Sequence, residues 1–454
     1  MSLNQAIEYA EEHKDSFLEQ LFELLKIPSI STLPEHGEDI ISAARWLRDR
    51  LEKMGFDKAE ILPTERHPVV YAESMRAGDE APTVLFYGHY DVQPTDPIGE
   101  WDSDPFDPVI RGDDVFARGA SDMKGQVVAF LNAIESILTT AELPINLKFM
   151  LEGEEEIGSP NLQAFVKKHK EKLACDFCLN GDSSILAPDQ PSITIALRGL
   201  SYFEIRLQGQ RSDLHSGMFG GVVDNPANAI CELIAGLRDD LGRVTIPGFY
   251  DEVRELSKQE RELLPTLDDD WWKEHAGAAL LFGDPAYSVT ERARARPTLD
   301  VNGIISGFTG EGSKTVLPAR AMAKVSMRLV PEQKPDKIRA AFESYLEDNV
   351  PATMTWELIE HSSSPPSVIS HESAEVQAAA DALEAVWGEQ PLFDRIGGTV
   401  PIVGIIQDIL GAESLMLGFG LPSDNIHGPN EKQHLPNYYR GIETFIRFIY
   451  AVGK

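Results

Sequence analysis

Two nearly continuous apolar runs that end in charged residues constrain this chain more than any other feature. "APTVLFYGHYDVQP" has the pattern of a buried strand followed by a turn, and "INLKFMLEGEEE" that of a second strand. Between them "GQVVAFLNAIESIL" has the pattern of a helix, and "DFCLNGDSS" supplies a further strand. Alternating helical and strand-like segments over the first ~195 residues predict α/β architecture. Each strand leaves polar or acidic residues at its C-terminal end, where open α/β sheets place ligands. The second run poses a specific problem, because it ends in Glu154, Glu155 and Glu156. Adjacent carboxylates repel, and burying even one bare carboxylate costs about several kcal/mol. The triplet is therefore either solvated or faces something strongly positive.

After "ITIALRGLSYFEIRLQGQ" the texture changes. "SYFEIRLQ" and "AKVSMRLV" alternate apolar and polar residues, as a sheet exposed on one face does. Between them lies a charged insert, "DEVRELSKQERELLPTLDDDWWKEH", expected to be helical and peripheral. "IEHSSSPPSVIS", residues 359–370, is the best linker candidate, and "AEVQAAADALEAVWG" then resumes as a helix. A chain of 454 residues exceeds the size at which one core stops growing. The expected organisation is an α/β domain from residues 1–195 plus 366–454, with an α+β domain inserted at 196–365.

The formal net charge of −32 argues against nucleic acid and against anionic membrane surfaces as partners. Charges interrupt every apolar stretch near the N-terminus, which excludes a signal peptide there. Phe17, Leu21, Leu24 and Leu25 mark one face of an amphipathic helix. No run approaches the roughly 18 apolar residues of a membrane span, so the expectation is a soluble, cytoplasmic protein. Cys175 and Cys178 form a C-x-x-C inside an apolar strand, and are expected to be buried, inert thiols. "GFTGEGSKT" lacks the spacing and the following helix of a phosphate loop. "RARAR", Arg292 to Arg296, is expected to be a solvated segment.

The strand ends, taken in order, give a set of metal-type ligands. "FYGHYDVQP" supplies His89 and Asp91, "ARGASDMKGQ" supplies Asp122, and "LEGEEEIGSP" supplies Glu155 and Glu156. "LNGDSS" adds Asp182 and "SDNIHGPNE" adds His427. Two imidazoles with several carboxylates suit a borderline cation such as zinc. That much negative charge exceeds what one dication neutralises, so two metals sharing a bridging carboxylate are expected.

With these motifs the sequence resembles the M20 metallopeptidase family, closest to its cytosolic dipeptidase and carnosine-hydrolase branch. The resemblance covers nearly the whole chain. It implies a zinc-peptidase-like catalytic domain with an inserted lid and dimerisation domain. It also implies two Zn2+ per subunit, or Mn2+ or Co2+, held by His89, Asp122, Glu156, Asp182 and His427, with Asp122 bridging. Asp91 would orient His89. The family pattern Glu-Glu-x-Gly-Ser aligns with Glu155 to Ser159 and makes Glu155 the general base, leaving Glu154 as a neighbour. "RSDLHSGMFGG" matches a motif whose histidine, here His215, stabilises the oxyanion in the other subunit's site, which implies a homodimer. "GSKTVLPARAMAKVSMRLVP" and "GGTVPIV" match segments in which Thr315, Arg328 and Thr399 contact the substrate, Arg328 gripping a C-terminal carboxylate.

One departure bears on specificity. The dipeptidase branch carries a glutamate for the substrate's free amine before the Gly-Gly pair, whereas "DRIGGTVP" has Ile396 there. The expected activity is hydrolysis of dipeptides or small peptides with a free carboxylate. The alternatives are deacylation of N-acyl amino acids by the same machinery and, more remotely, a catalytically silent dimeric binding protein. No G-x-S-x-G elbow supports a serine hydrolase.

Overall fold

The two apolar runs lie in one sheet, parallel and close together. Strand Thr83–His89 sits between Asn146–Glu152 and Phe177–Asn180, with His89 opposite Glu152 and Tyr87 opposite Asn180. All seven residues of Asn146–Glu152 are buried, as a strand covered on both faces requires. The computed structural model describes residues 3–264 and 267–454. In spatial order the sheet runs Lys58–Leu62, Val69–Ser74, Asn146–Glu152, Thr83–His89, Phe177–Asn180, Glu413–Met416 and Ser192–Leu197. Its centre is parallel, and Val69–Ser74 joins antiparallel to Asn146–Glu152. Parallel strands that share a direction bring their C-terminal ends, and the acidic residues on them, to one edge of the sheet.

Aromatic packing holds the helices to this sheet. Phe86 stacks on Phe130 of helix Lys124–Thr140 at 3.9 Å between ring centroids, and Phe445 of helix Leu435–Val452 meets Phe130 edge-on at 5.0 Å. The stripe Phe17, Leu21, Leu24 and Leu25 is fully buried in the same core, on helix Lys14–Leu25. Cys178 is buried in its strand, and burial pushes its thiol well above the ordinary range, whereas Cys175 lies before the strand and is only half-buried, contrary to the expectation of two buried strand thiols.

Two units make up the chain: residues up to 195 with 369–394 and 405–454, and residues 196–368 with 395–404. The second is built on an antiparallel sheet ordered Thr298–Ser306, Arg320–Leu329, Gly199–Gln208, Thr355–Ser364. Strand Arg320–Leu329 alternates buried and less buried residues along its whole length. The buried face, including Phe203, Ile205, Val325 and Met327, forms a core with Ile230 and Leu233 of helix Pro226–Gly236 and Phe342 of helix Pro335–Asn349.

Three expectations change here. The proposed linker at 359–370 begins as strand: Thr355–Ser364 pairs with Gly199–Gln208 through a bulge between Glu360 and Ser362. Its serines looked like a loop, but an edge strand needs no apolar face outside. Residues 395–404 belong with the second unit rather than with the rest of 366–454. The Arg292–Arg296 segment is not solvated: Arg296 pairs with Glu255 at 2.7 Å and lies over the Tyr287 ring at 4.1 Å. In the charged insert, Lys258–Leu263 and Asp269–Ala276 are helical, while Pro265 and Thr266 lie outside the described residues.

Candidate metal centre

The strand-end residues of the first unit converge. His89 closes its strand fully buried, and Asp91, two residues on, is also fully buried. Asp91 Oδ1 lies 3.5 Å from His89 Nδ1, and its two oxygens accept the backbone N–H groups of Glu155 at 3.2 Å and Glu156 at 3.1 Å. His89 Nδ1 also lies 3.1 Å from the Asp91 carbonyl, so Asp91 meets the imidazole chiefly through its backbone oxygen and the glutamate turn through its carboxylate. Asp122 presents Oδ1 to His89 Nε2 and Oδ2 to His427 Nε2, each at 3.0 Å. Glu156 Oε2 lies 3.1 Å from the same His427 nitrogen and accepts from Gln93 Nε2 at 2.8 Å.

These side chains form two groups able to hold a cation: His89, Asp122 and Asp182, and Asp122, Glu156 and His427. Within each group the ligand atoms lie inside 4.8 Å of one another. Ligands about 2.0–2.1 Å from a tetrahedral zinc stand about 3.3 Å apart, so contacts of 3.0–3.1 Å fit a shared ion. Asp122 belongs to both groups and turns a different oxygen to each, as a bridging carboxylate does. Glu155 belongs to neither.

The electrostatics point the same way. Burial first, then the Asp122 charge, pushes Asp182 up to about 7. Burial also drives Glu155 well above the carboxylate range; Asp182, Glu156 and Asp122 add to this, and His89 opposes it. Hydrogen bonds to Asp122 and Glu156 lift His427 to about 10. Burial works against protonation of His89, but Asp122 and Asp91 hold its pKa well above the ordinary value. Without cations the cluster therefore retains protons to limit its own repulsion; bound cations would take their place.

The remaining glutamate has a different environment. Glu154 Oε1 accepts the His67 N–H at 2.6 Å and the Thr64 hydroxyl at 2.8 Å, and Asn161 donates to both its oxygens. Of the three consecutive carboxylates, one is satisfied by neutral donors, one belongs to a ligand group and one stands free beside them.

Sequence reasoning missed Glu431, which is fully buried and accepts from Arg118 at 2.8 Å and from the backbone N–H groups of Gly119, Ser121 and Asp122 at 3.0–3.1 Å. It also missed Asp424, which accepts the Ser121 hydroxyl at 2.7 Å. Both lie within four residues of His427, in the motif that supplied it, so their position was a usable signal.

The second unit contains the other predicted residues in two places. His215 is exposed at the start of helix Ser216–Phe219, and its Nδ1 accepts the Gly217 N–H at 3.0 Å. That bond leaves the ring proton of the neutral imidazole on Nε2, free to donate outward. Thr315 lies beside it, its carbonyl accepting the Ser216 N–H at 3.2 Å. Arg328 donates to the Thr399 hydroxyl at 2.8 Å, and Thr399 donates to the Arg198 carbonyl at 2.6 Å. Ile396 ends strand Leu392–Ile396, and its carbonyl accepts the Arg198 N–H at 3.2 Å.

Known proteins resemble this chain over nearly its whole length. A Cys-Gly metallodipeptidase of Candida albicans is 32% identical over all of this chain and 98% of its own length. Among solved structures, an M20 family metallo-carboxypeptidase from Sulfolobus solfataricus is 38% identical, covers 96% of this chain and 99% of its own, and superimposes with a TM-score of 0.86. Human carnosine dipeptidase 1 is 29% identical with a TM-score of 0.80, covering 100% of this chain and 99% of its own. The model of peptidase family M20/M25/M40 matches residues 85–451. From Leu85 in the central strand almost to the C-terminus, the chain is therefore a member of peptidase family M20/M25/M40.

Proposed function

We propose that this peptidase hydrolyses the amide bond of dipeptides or small peptides bearing a free C-terminal carboxylate, with two divalent cations, zinc by ligand type, at the centre around Asp122. The observation that carries this reading is Asp122 facing two histidines with separate oxygens while Glu155 stands outside both ligand groups. Cations bound there would bring the pKa of a water from 15.7 to about 7 and polarise a carbonyl. Glu155 then takes the water's proton and passes it to the departing amine, a task for a carboxylate whose lone pairs are free. Asp91 holds His89 and, through two backbone bonds, the turn that carries Glu155. Arg328 is assigned to the substrate's carboxylate, offering a charged fork, and Thr399 is assigned to the same end of the substrate, its hydroxyl accepting from Arg328 and so holding the guanidinium in place.

Binding of the cations is predicted to release protons. His427 and Asp182 hold theirs in the metal-free protein up to about pH 10 and about pH 7, respectively. Ligation needs them deprotonated, so zinc affinity should rise steadily from pH 6 to pH 8. Calorimetry in two buffers of different ionisation enthalpy would reveal the released protons; identical heats would contradict the assignment.

A homodimer with His215 acting in trans completes the proposal. Strand Thr298–Ser306 lies at a sheet edge and exposes Ile304 and Ile305, with Phe308 exposed just beyond, an edge suited to a second copy of the chain. Mixing Glu155→Ala with His215→Ala subunits should recover about a quarter of wild-type activity, since half the dimers would be mixed and each would carry one whole site. No recovery under proven subunit exchange would mean that each site is built within one chain.

A second reading is favoured by Ile396, an apolar residue where an amine-binding carboxylate is expected, and by the 38% identity to a metallo-carboxypeptidase. A substrate with an acylated or extended amino side loses nothing at such a position. Turnover of a dipeptide, its N-acetyl form and the corresponding tripeptide, measured with zinc, manganese and cobalt, separates the readings. Preference for the free dipeptide supports dipeptidase activity, and preference for the blocked or longer substrates supports deacylase or carboxypeptidase activity.

A further inference from the structure

Glu431 has no part in the proposed chemistry, yet it is saturated with hydrogen bonds. Its Oε1 accepts the N–H groups of Ser121 and Asp122, both at 3.1 Å. Its Oε2 accepts the Gly119 N–H at 3.0 Å and Arg118 Nη1 at 2.8 Å. Two donors on each oxygen use the full accepting capacity of a carboxylate. Both members of the Arg118–Glu431 pair are 1% exposed, so these bonds are made away from water and have high directional value.

The pair acts on two ligands at once. On one side Glu431 fixes the backbone of residues 119–122, and so the direction in which Asp122 leaves the chain. On the other, Arg118 Nη2 donates to the carbonyls of Pro94 at 2.9 Å and His427 at 3.3 Å. His427 has φ +63°, a left-handed backbone that a non-glycine residue keeps only where its surroundings hold it. The Arg118 bond is one such restraint.

We infer that Glu431 is a positioning residue: with Arg118 it sets the orientation of the bridging Asp122 and the seat of His427, so that affinity at both metal positions depends on it. The inference rests on the reading of Asp122 and His427 as ligands. Glutamine keeps the shape of Glu431 but offers one accepting oxygen, and its NH2 would confront N–H donors. Aspartate keeps the charge but falls short by one methylene.

The test measures metal binding rather than turnover. Wild-type, Glu431→Gln, Glu431→Asp and Arg118→Lys proteins are titrated with zinc in competition with a chromophoric chelator, and with Co2+ followed by visible absorption. Melting of the metal-free forms is recorded alongside. Loss of a partner that orients a ligand typically costs 10–100-fold in affinity, and about that loss is expected for both Glu431 variants, with an altered Co2+ spectrum. For Arg118→Lys, the position shared with His427 should weaken more than the other. Should Glu431→Gln fail to fold, Arg118→Lys decides the question. Variants that melt earlier but bind both ions with wild-type affinity would reduce the pair to a structural role and overturn the inference. Failure of the wild-type protein to bind two ions would instead overturn the reading of the centre itself.

Discussion

Glu155→Gln lowers kcat by about 10²–10⁴-fold while the protein keeps both metal ions, the scale expected for loss of a general base. Three observations lead to this result. Glu155 lies outside both ligand groups, so its removal takes no donor from a cation. It sits close enough to His89, Asp182, Glu156 and Asp122 for their charges to act on its carboxyl, so it faces the same cluster as the candidate ligands. Its backbone N–H is anchored on Asp91, so the substituted side chain stays where the carboxylate was. Glutamine matches the volume and can still accept a hydrogen bond, but it cannot hold the proton. The metal-free variant should also melt no earlier than wild type, because a buried carboxyl crowded by like charges has been replaced by a neutral group. Metal content by atomic absorption and steady-state kinetics on one substrate decide the matter. A rate unchanged at full metal loading removes Glu155 from the mechanism.

Buried parallel strands advertise themselves as apolar runs, and their C-terminal ends must gather at one sheet edge. His89, Asp91 and the glutamate triplet are therefore legible in the sequence alone. Asp122, Asp182 and His427 became convincing only as members of an ordered set. What stayed hidden depended on pairing across long separations. Glu431 meets Arg118 across 313 residues, so although each lies in a motif that supplies a ligand, nothing local shows that the two pair. Residues 359–364, the first half of the expected linker, looked like loop because their serines and histidine carry no strand signal; pairing with Gly199–Gln208 makes them part of strand Thr355–Ser364. Arg292–Arg296 looked solvated because the carboxylate and ring that hold Arg296 come from elsewhere in the unit. Charge and periodicity are local properties, whereas the satisfaction of a buried charge is not.

Asp122→Ala removes both metals, whereas Asp182→Ala or His427→Ala disturbs one position first. The distinction follows from group membership: Asp122 is common to the two candidate groups, Asp182 belongs to one and His427 to the other. A shared carboxylate also screens the two cations from each other, so its loss weakens each site twice, once as a ligand and once as a screen. The measured costs should therefore be non-additive. Asp182→Ala combined with His427→Ala should lose less affinity per substitution than Asp122→Ala alone, whereas cycles that pair Asp122→Ala with either of them should show coupling, since Asp122 shares a group with each. Asp122→Asn refines the point, since one amide oxygen can still serve a single cation. That variant should bind about one ion where alanine binds none, with activity near that of the chelated wild-type protein in both cases. Asp122→Ala retaining two tightly held ions would mean that the carboxylate only accepts hydrogen bonds from His89 and His427, and the bridging role would have to be given to another residue.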